Sequence, residues 1–137
     1  MVCTEALRLY PPAWLMTRRA REVVVIGDYR FPPGTFFLLS PYLTHRDARF
    51  FPDPEAFVPN RWTASPDAAA ARAAYFPFGG SPRQCLGEGF AWMEGLLVLT
   101  TLAQTWRMQL VPDSPVAPWG LVTLRPKAGI HVHLARR

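Results

Sequence analysis

Charge is scarce in this sequence. Asp, Glu, Lys and Arg make up 18% of its 137 residues, where soluble domains usually carry about a quarter. A folded chain with so little charge covers part of its surface with something else: a cofactor, a partner or further polypeptide. Cysteine is scarcer still, and two thiols, Cys3 and Cys85, make no disulfide framework. No apolar run approaches the ~20 residues that cross a bilayer. The best candidate, residues 92–103, is broken by Glu94, so no membrane anchor is predicted. Glu5 and Arg8 interrupt the first turns, which therefore do not resemble a signal peptide. A reducing cytoplasm is the predicted compartment. The net charge of +5 comes mostly from arginine, but no Lys/Arg run forms a stripe. That excludes the usual nucleic-acid footprint and leaves a basic patch facing an acidic protein partner. Repeats are absent, and the only low-complexity tract is the alanine-rich insert near residue 70.

What is present is apolar, aromatic and rich in proline, enough for one modest domain over residues 1–137. "MVCTEALRLY" reads as a helix that starts at once, as though the sequence begins inside an element, and Pro11 and Pro12 stop it. Val23 to Ile26 with Gly27 and Asp28 predicts a hairpin. "FFLLSPYLTH" predicts a strand and then a short helix. "RDARFFPDPEAFVPNRW" has no period and is too apolar for a linker, so it reads as coil packed on the body. "SPDAAAARAAY" predicts a helix capped by Ser65 or Asp67. Glu88 to Gln104 predicts the longest helix; Phe90, Met93, Leu97 and Val98 recur near helical spacing, Trp92, Leu96 and Leu99 widen the stripe, and the helix is expected to be buried. The tail "LVTLRPKAGIHVHLARR" predicts two short strands around a Pro-Lys-Ala-Gly turn.

The chemistry concentrates in "FPFGGSPRQCLGEGFAWMEG", residues 76–95. Cys85 lies at the mouth of a helix, where free N–H groups and the positive end of the macrodipole favour thiolate. Gly79 and Gly80 allow backbone that other residues resist and let a flat ligand come close. Pro82 stiffens the approach, Arg83 can neutralise a nearby anion, and Gly87 clears space over the first helical turn. Three readings stay open on residue types alone: a buried apolar cap, a ligand thiolate, or a nucleophile. The nucleophile needs a base, and His45, His131 and His133 have no spacing that ties them to Cys85. His131 and His133 alternate as on one strand face but lack a third metal ligand.

"FGGSPRQCLG" resembles the cysteine-loop signature of the cytochrome P450 family, with Phe78, Arg83, Cys85 and Gly87 at matching offsets. The family usually has Gly, sometimes Asp, four residues before the cysteine. This chain has Ser81, which costs on the order of 1 kcal/mol if the position needs positive φ, unless Gly80 absorbs part of that. Glu5 and Arg8 in "EALR" resemble the family's buried Glu-x-x-Arg pair, which is joined by an arginine of the Pro-rich segment, here Arg61 in "PNRW"; Asn60 stands where Glu or Asp is usual. The resemblance makes this triad architectural, locking the coil that carries the cysteine loop. It also sets Arg18, with Arg83 as its partner, against a haem propionate, while Arg19 and Arg21 read as a solvated basic strand. Residues 41–62 resemble the family's segment before the cysteine loop, which makes His45 structural.

The resemblance covers essentially the whole chain and implies the C-terminal third of a fold that is mainly α with small β-sheets (α+β). It implies haem b held by Cys85, with Phe78, Gly79 and Gly87 beside it and backbone N–H groups after Cys85 tuning the sulfur. The family's chemistry uses O2, an organic substrate and an electron donor of the ferredoxin or flavodoxin type. Ala13, Trp14, Leu15 and Met16 match one substrate-lining stretch and residues 119–122, including Leu121, a second; both are apolar. The family's distal helix, with its acid–alcohol pair, has no counterpart in these residues. The expectation is a piece that is loosely folded and inactive by itself, the alternative being a haem- or partner-binding module without turnover.

Overall fold

The computed structural model describes residues 1–63 and 68–137. Helix α1 (Val2–Leu9) closes on a bond from the Tyr10 N–H to the Ala6 carbonyl, and Pro11 follows. It buries Glu5, Arg8 and Leu9, so the face turned inward is largely charged. Strand β1 (Met16–Arg19) comes next. The hairpin of β2 (Val24–Ile26) and β3 (Tyr29–Phe31) turns at Gly27, whose φ of +57° is the left-handed conformation that glycine adopts without a Cβ penalty. Strand β4 (Phe36–Leu39) then returns to pair antiparallel with β1, Met16 opposite Leu39 and Arg19 opposite Phe36. The basic strand expected at Arg19 is the end of β1; its start at Met16 was not expected, because "MTRR" has neither alternation nor β-branched richness and its partner lies across the hairpin.

Helix α2 (Pro41–Thr44) starts on Ser40, whose Oγ accepts from the Leu43 N–H at 3.3 Å. The Pro-rich segment runs as turns into a 3₁₀ turn at Pro59–Trp62, the irregular packed coil the sequence predicts. Helix α3 (Ala68–Ala74) occupies the alanine-rich insert; the caps expected at Ser65 and Asp67 lie outside the described residues. After the cysteine loop come α4 (Glu88–Thr105), β5 (Trp106–Leu110), β6 (Pro118–Gly120), β7 (Leu124–Pro126) and β8 (Val132–Arg136).

The two tail strands are present as expected, β7 pairing with β6 and β8 with β5. Local turn chemistry marks the bend near Gly129 (φ +77°) but carries no information about which earlier strand each edge meets. Two expectations are corrected here. His131 falls just before β8 rather than on it, and its carbonyl accepts from the Val111 N–H at 3.1 Å. Among the described residues no cluster of His, Cys, Asp or Glu could hold a metal ion. The second correction concerns α4, which buries no residue. Phe90, Met93 and Leu97 are more than half exposed. An all-round apolar helix needs covering elements on several sides; here Phe78 of the cysteine loop meets Trp92, β5 packs at the far end, and most of the apolar surface stays exposed.

The buried centre therefore lies elsewhere, where α1, α2 and the Pro-rich coil meet. Phe51 is 1% exposed, with Arg8 and His45 against its ring, and Leu9, Pro11, Pro41 and Glu5 are buried as well. Burying a Phe contributes about 1.5–3 kcal/mol. Aromatic rings extend the cluster: His45 stacks on Tyr75 with centroids 5.2 Å apart, and Tyr75 meets Trp62 at 4.7 Å.

Candidate functional site

The site stands on a buried ionic frame. One turn of α1 puts Glu5 and Arg8 on the same face. Arg8 Nε and Nη2 donate to the two Glu5 carboxylate oxygens at 3.0 and 2.9 Å. Its remaining donors reach three carbonyls of the following coil, Nη1 to His45 at 2.7 Å and Pro54 at 2.6 Å, Nη2 to Ala56 at 3.0 Å. Arg61 Nε donates to Glu5 Oε1 at 2.9 Å, and its Nη1 to the Pro52 carbonyl at 2.8 Å. The structure thus brings Glu5, Arg8 and Arg61 together and shows how a coil without period is held: guanidinium forks satisfy its carbonyls. Burial pushes the Glu5 carboxyl upward. Hydrogen bonds from Arg8, the Val58 N–H, Arg61 and Trp62 together outweigh burial and hold it at about 2.

Two further residues join this frame: Trp62, which escaped the sequence, and His45, expected to be structural but without named partners. Trp62 Nε1 donates to Glu5 Oε2 at 2.9 Å; only its place beside Arg61 hinted at it. His45 is fully buried and links two distant segments. Its Nε2 accepts from the Phe76 N–H at 3.0 Å, which leaves the ring proton on Nδ1 to donate to the Arg8 carbonyl at 3.1 Å. A lone histidine carries no sequence signal for such a role. Burial holds its pKa down at about 4, the backbone bond to Arg8 opposing this and the positive charges of Arg8 and Arg46 adding to it.

From Phe76 the chain enters the cysteine loop. The Gly79 N–H donates to the Phe76 carbonyl at 3.0 Å and the Cys85 N–H to the Phe78 carbonyl at 2.9 Å. Cys85 is exposed at the mouth of α4, which rules out the buried-cap reading within this structure. Gly87 lies next to the thiol: a Cβ there would sit 3.8 Å from Cys85 Sγ, in ordinary van der Waals contact. Gly79 holds φ +76° beside Met16 Sδ of β1, which brings the first predicted pocket stretch to the loop. Phe78 leans on Trp92 of α4 at 6.0 Å.

Ser81 adopts φ +58°, the conformation for which glycine is suited. Gly80 is fully extended, φ −171°, so it relieves none of this. Ser81→Gly is expected to raise stability by about 1 kcal/mol or somewhat less, since glycine also loosens the unfolded chain. A urea midpoint moved upward at unchanged slope checks it.

Arg83, Arg18, Arg19 and Arg21 line one cleft of about 980 Å³, with Thr17, Ala20, Pro33 and Gly34. Arg18 and Arg83, which the resemblance pairs, both line it. Arg19 and Arg21, which read as solvated, are exposed but line it as well. Arg19 also lies over the Phe36 ring at 5.5 Å. Four guanidinium groups in one concave surface concentrate positive potential. The two apolar stretches meet too: Trp14 Nε1 donates to the Leu121 carbonyl at 2.8 Å, and its ring lies 3.0 Å from where a Cβ on Gly120 would be. Ala13 and Leu15 are exposed beside it, and Met16 is half-buried.

Fold and site together define a class: a mixed scaffold of helices and two-stranded sheets that mounts an exposed cysteine, at a helix mouth, on a buried Glu–Arg–Arg frame. The cytochrome P450 family profile matches residues 1–132, and the chain belongs to that family. It is 44% identical to cyclooctatin synthase of Streptomyces melanosporofaciens over 85% of this chain and 26% of that protein. It is 37% identical to pentalenene oxygenase of Streptomyces avermitilis over 99% of this chain and 30% of that protein. Among solved structures, the retinoic acid-bound cyanobacterial CYP120A1 superposes with a TM-score of 0.90 at 33% identity, covering 99% of this chain and 32% of that one. CYP175A1 from Thermus thermophilus gives 0.80 at 44% identity, over 96% of this chain and 32% of that one. The chain spans about a quarter to a third of the length of these relatives. Membership of the family implies a haem cofactor.

Proposed function

We propose that the chain is the cysteine-bearing part of a haem-thiolate monooxygenase acting on an apolar organic substrate. Cys85 would ligate the iron of haem b, Arg18 and Arg83 would hold its propionates, and Phe78, Gly79 and Gly87 would frame the thiolate. The observation that carries this reading is the exposed thiol at the mouth of α4, with Arg83, two residues before it, and Arg18 lining one cleft. The donor set fits the group: a thiol at a helix N-terminus suits an iron ligand, and guanidinium forks suit two carboxylates. When bound, the haem supplies the activation of O2 with two electrons, one oxygen atom entering the substrate and the other leaving as water.

This chain's own residues bind, orient and exclude. The dipole of α4 favours the thiolate form of Cys85. The Phe78–Trp92 contact limits water on one side of the loop. Trp14, Leu15, Met16 and Leu121 offer the substrate an apolar wall. The arginine-rich surface suits an acidic electron donor of the ferredoxin or flavodoxin type, with the cytoplasm as compartment. No helix among the described residues is long and apolar enough to cross a membrane. In the chain loaded with haem, reduced and exposed to CO, a strongly red-shifted Soret band of thiolate ligation is expected, and Cys85→Ser abolishes it. A CO spectrum unchanged by that replacement overturns the assignment.

A second reading, a haem- or partner-binding module without turnover, is favoured by the exposed apolar surface of α4. Covering several hundred Å² of such surface is worth several kcal/mol at about 25 cal/mol/Å², a large share of a domain's ~5–15 kcal/mol. Oxygen consumption by the chain with a reductase separates the two readings.

A further inference from the structure

The buried frame and the cysteine loop are far apart in sequence, and His45 joins them. We propose that His45, neutral with its proton on Nδ1, is the positioning residue that latches the cysteine loop onto the Glu5–Arg8–Arg61 frame, and that protonation of its ring releases the loop.

The geometry runs without a gap. The Arg8 carbonyl belongs to the last turn of α1 and accepts from His45 Nδ1. His45 Nε2 accepts from the Phe76 N–H, the first backbone donor of the loop. Phe76 and Phe78 then supply the carbonyls that hold the Gly79 and Cys85 N–H groups. The ring is fixed on its other faces by stacking on Tyr75 and by edge contacts with Phe51 and Phe76. It is 0% exposed, so neither of its nitrogens has water as an alternative partner. A protonated imidazole has two donors and no acceptor. It would then point an N–H at the Phe76 N–H, and the contact this ring makes between frame and loop would turn repulsive.

The charged and titratable groups facing the ring favour the neutral form. Arg8 approaches from α1, its charge balanced by Glu5; Arg46 follows His45 in the chain; and Tyr75 stacks from beyond α3, its own hydroxyl donating to the Thr4 carbonyl at 3.2 Å. Burial, with these two cations, holds the ring below its ordinary value. The loop is therefore latched at neutral pH, held progressively less tightly as pH falls below about 6.5, and released as pH falls through about 4.

The inference about ligand positioning rests on the proposed role of Cys85, so the test has one arm that does not use haem. In the full chain, hydrogen exchange of the Phe76 amide, corrected for its intrinsic pH dependence, reads the latch directly. Wild type is expected to lose about tenfold or more of its Phe76 protection between pH 7 and pH 4.5, the cost of leaving a buried donor without an acceptor. His45→Gln offers an acceptor that does not titrate here, and its Phe76 protection is expected to stay level across the same range. His45→Phe keeps the ring stack without either bond and is expected to leave Phe76 unprotected at every pH. Wild-type protection that is flat with pH, or a His45→Phe amide as protected as wild type, overturns the latch. If His45→Phe does not fold, wild type and His45→Gln still decide.

The second arm follows the thiolate-type CO band of the haem-loaded chain over the same range. The band is expected to fade in wild type and persist in His45→Gln. Bands that fade together while Phe76 protection diverges overturn the positioning role of the latch. Phe76 protection that titrates as expected in a chain showing no thiolate-type band at any pH supports the latch and counts instead against haem ligation by Cys85.

Discussion

Arg8→Lys is expected to leave the chain without a stable fold. The substitution keeps the charge and nearly the length, and that is why it is informative. Arg8 spends its planar fork on five bonds at once, two to Glu5 and three to the carbonyls of His45, Pro54 and Ala56. A lysine ammonium offers three donors from a single point. It can pair with Glu5 or reach the coil, but it cannot span both, and the carbonyls it abandons are buried at His45 and partly buried at Pro54 and Ala56. Breaking a buried pair of this kind costs about 3–5 kcal/mol, comparable with the whole stability of a small domain. Loss of the cooperative urea transition, read by circular dichroism, checks it. Arg49→Lys is the control. That residue also sits in an ion pair, with Asp47, but is 81% exposed, and its replacement is expected to leave the midpoint in place. Equal behaviour of the two variants contradicts the frame as the source of stability.

The sequence showed the local half of this architecture and little of the rest. The spacing of Glu5 and Arg8 needed only the helical period. The hairpin at Gly27 needed only β-branched residues around a turn, and the cysteine loop only its Gly, Pro and Arg grouped before a helix. Features set by contacts across the chain stayed hidden. The sequence reached strand β1 only at Arg19; its start at Met16 and its pairing come from the return of β4. His45 and Trp62 matter through partners more than thirty residues away, and neither residue type announces such a bond. The burial expected for α4 failed in an instructive way: the apolar pattern reports what a helix surface prefers, not what is there to cover it. The arginine cleft was half legible. Arg18 and Arg83 were expected together, whereas the inclusion of Arg19 and Arg21 comes from the approach of β1 to Pro33 and Gly34.

Acid is expected to weaken the fold in two stages, beginning unusually early. His45 is neutral in the folded chain and titrates there at about 4, whereas in the unfolded chain it titrates near 6.5. Between those values the unfolded chain binds the proton and the folded chain does not. Stability from this group is therefore complete above pH 6.5 and falls as pH falls, by about 1.4 kcal/mol for each pH unit inside the window. Glu5 acts later and with the same sign. Its folded value of about 2 lies below the unfolded 4.5, so the stability it contributes is present above pH 4.5 and is lost as pH drops from there toward 2. The first stage belongs to a hydrogen-bonded imidazole and the second to an ion pair, so substitution separates them. Urea midpoints measured at pH 7, 5 and 3.5 should fall at both steps in wild type, while His45→Gln should hold its midpoint from pH 7 to pH 5 and lose it only below. A wild-type midpoint that does not move between pH 7 and pH 5 is incompatible with a neutral, buried His45 at the joint between frame and loop.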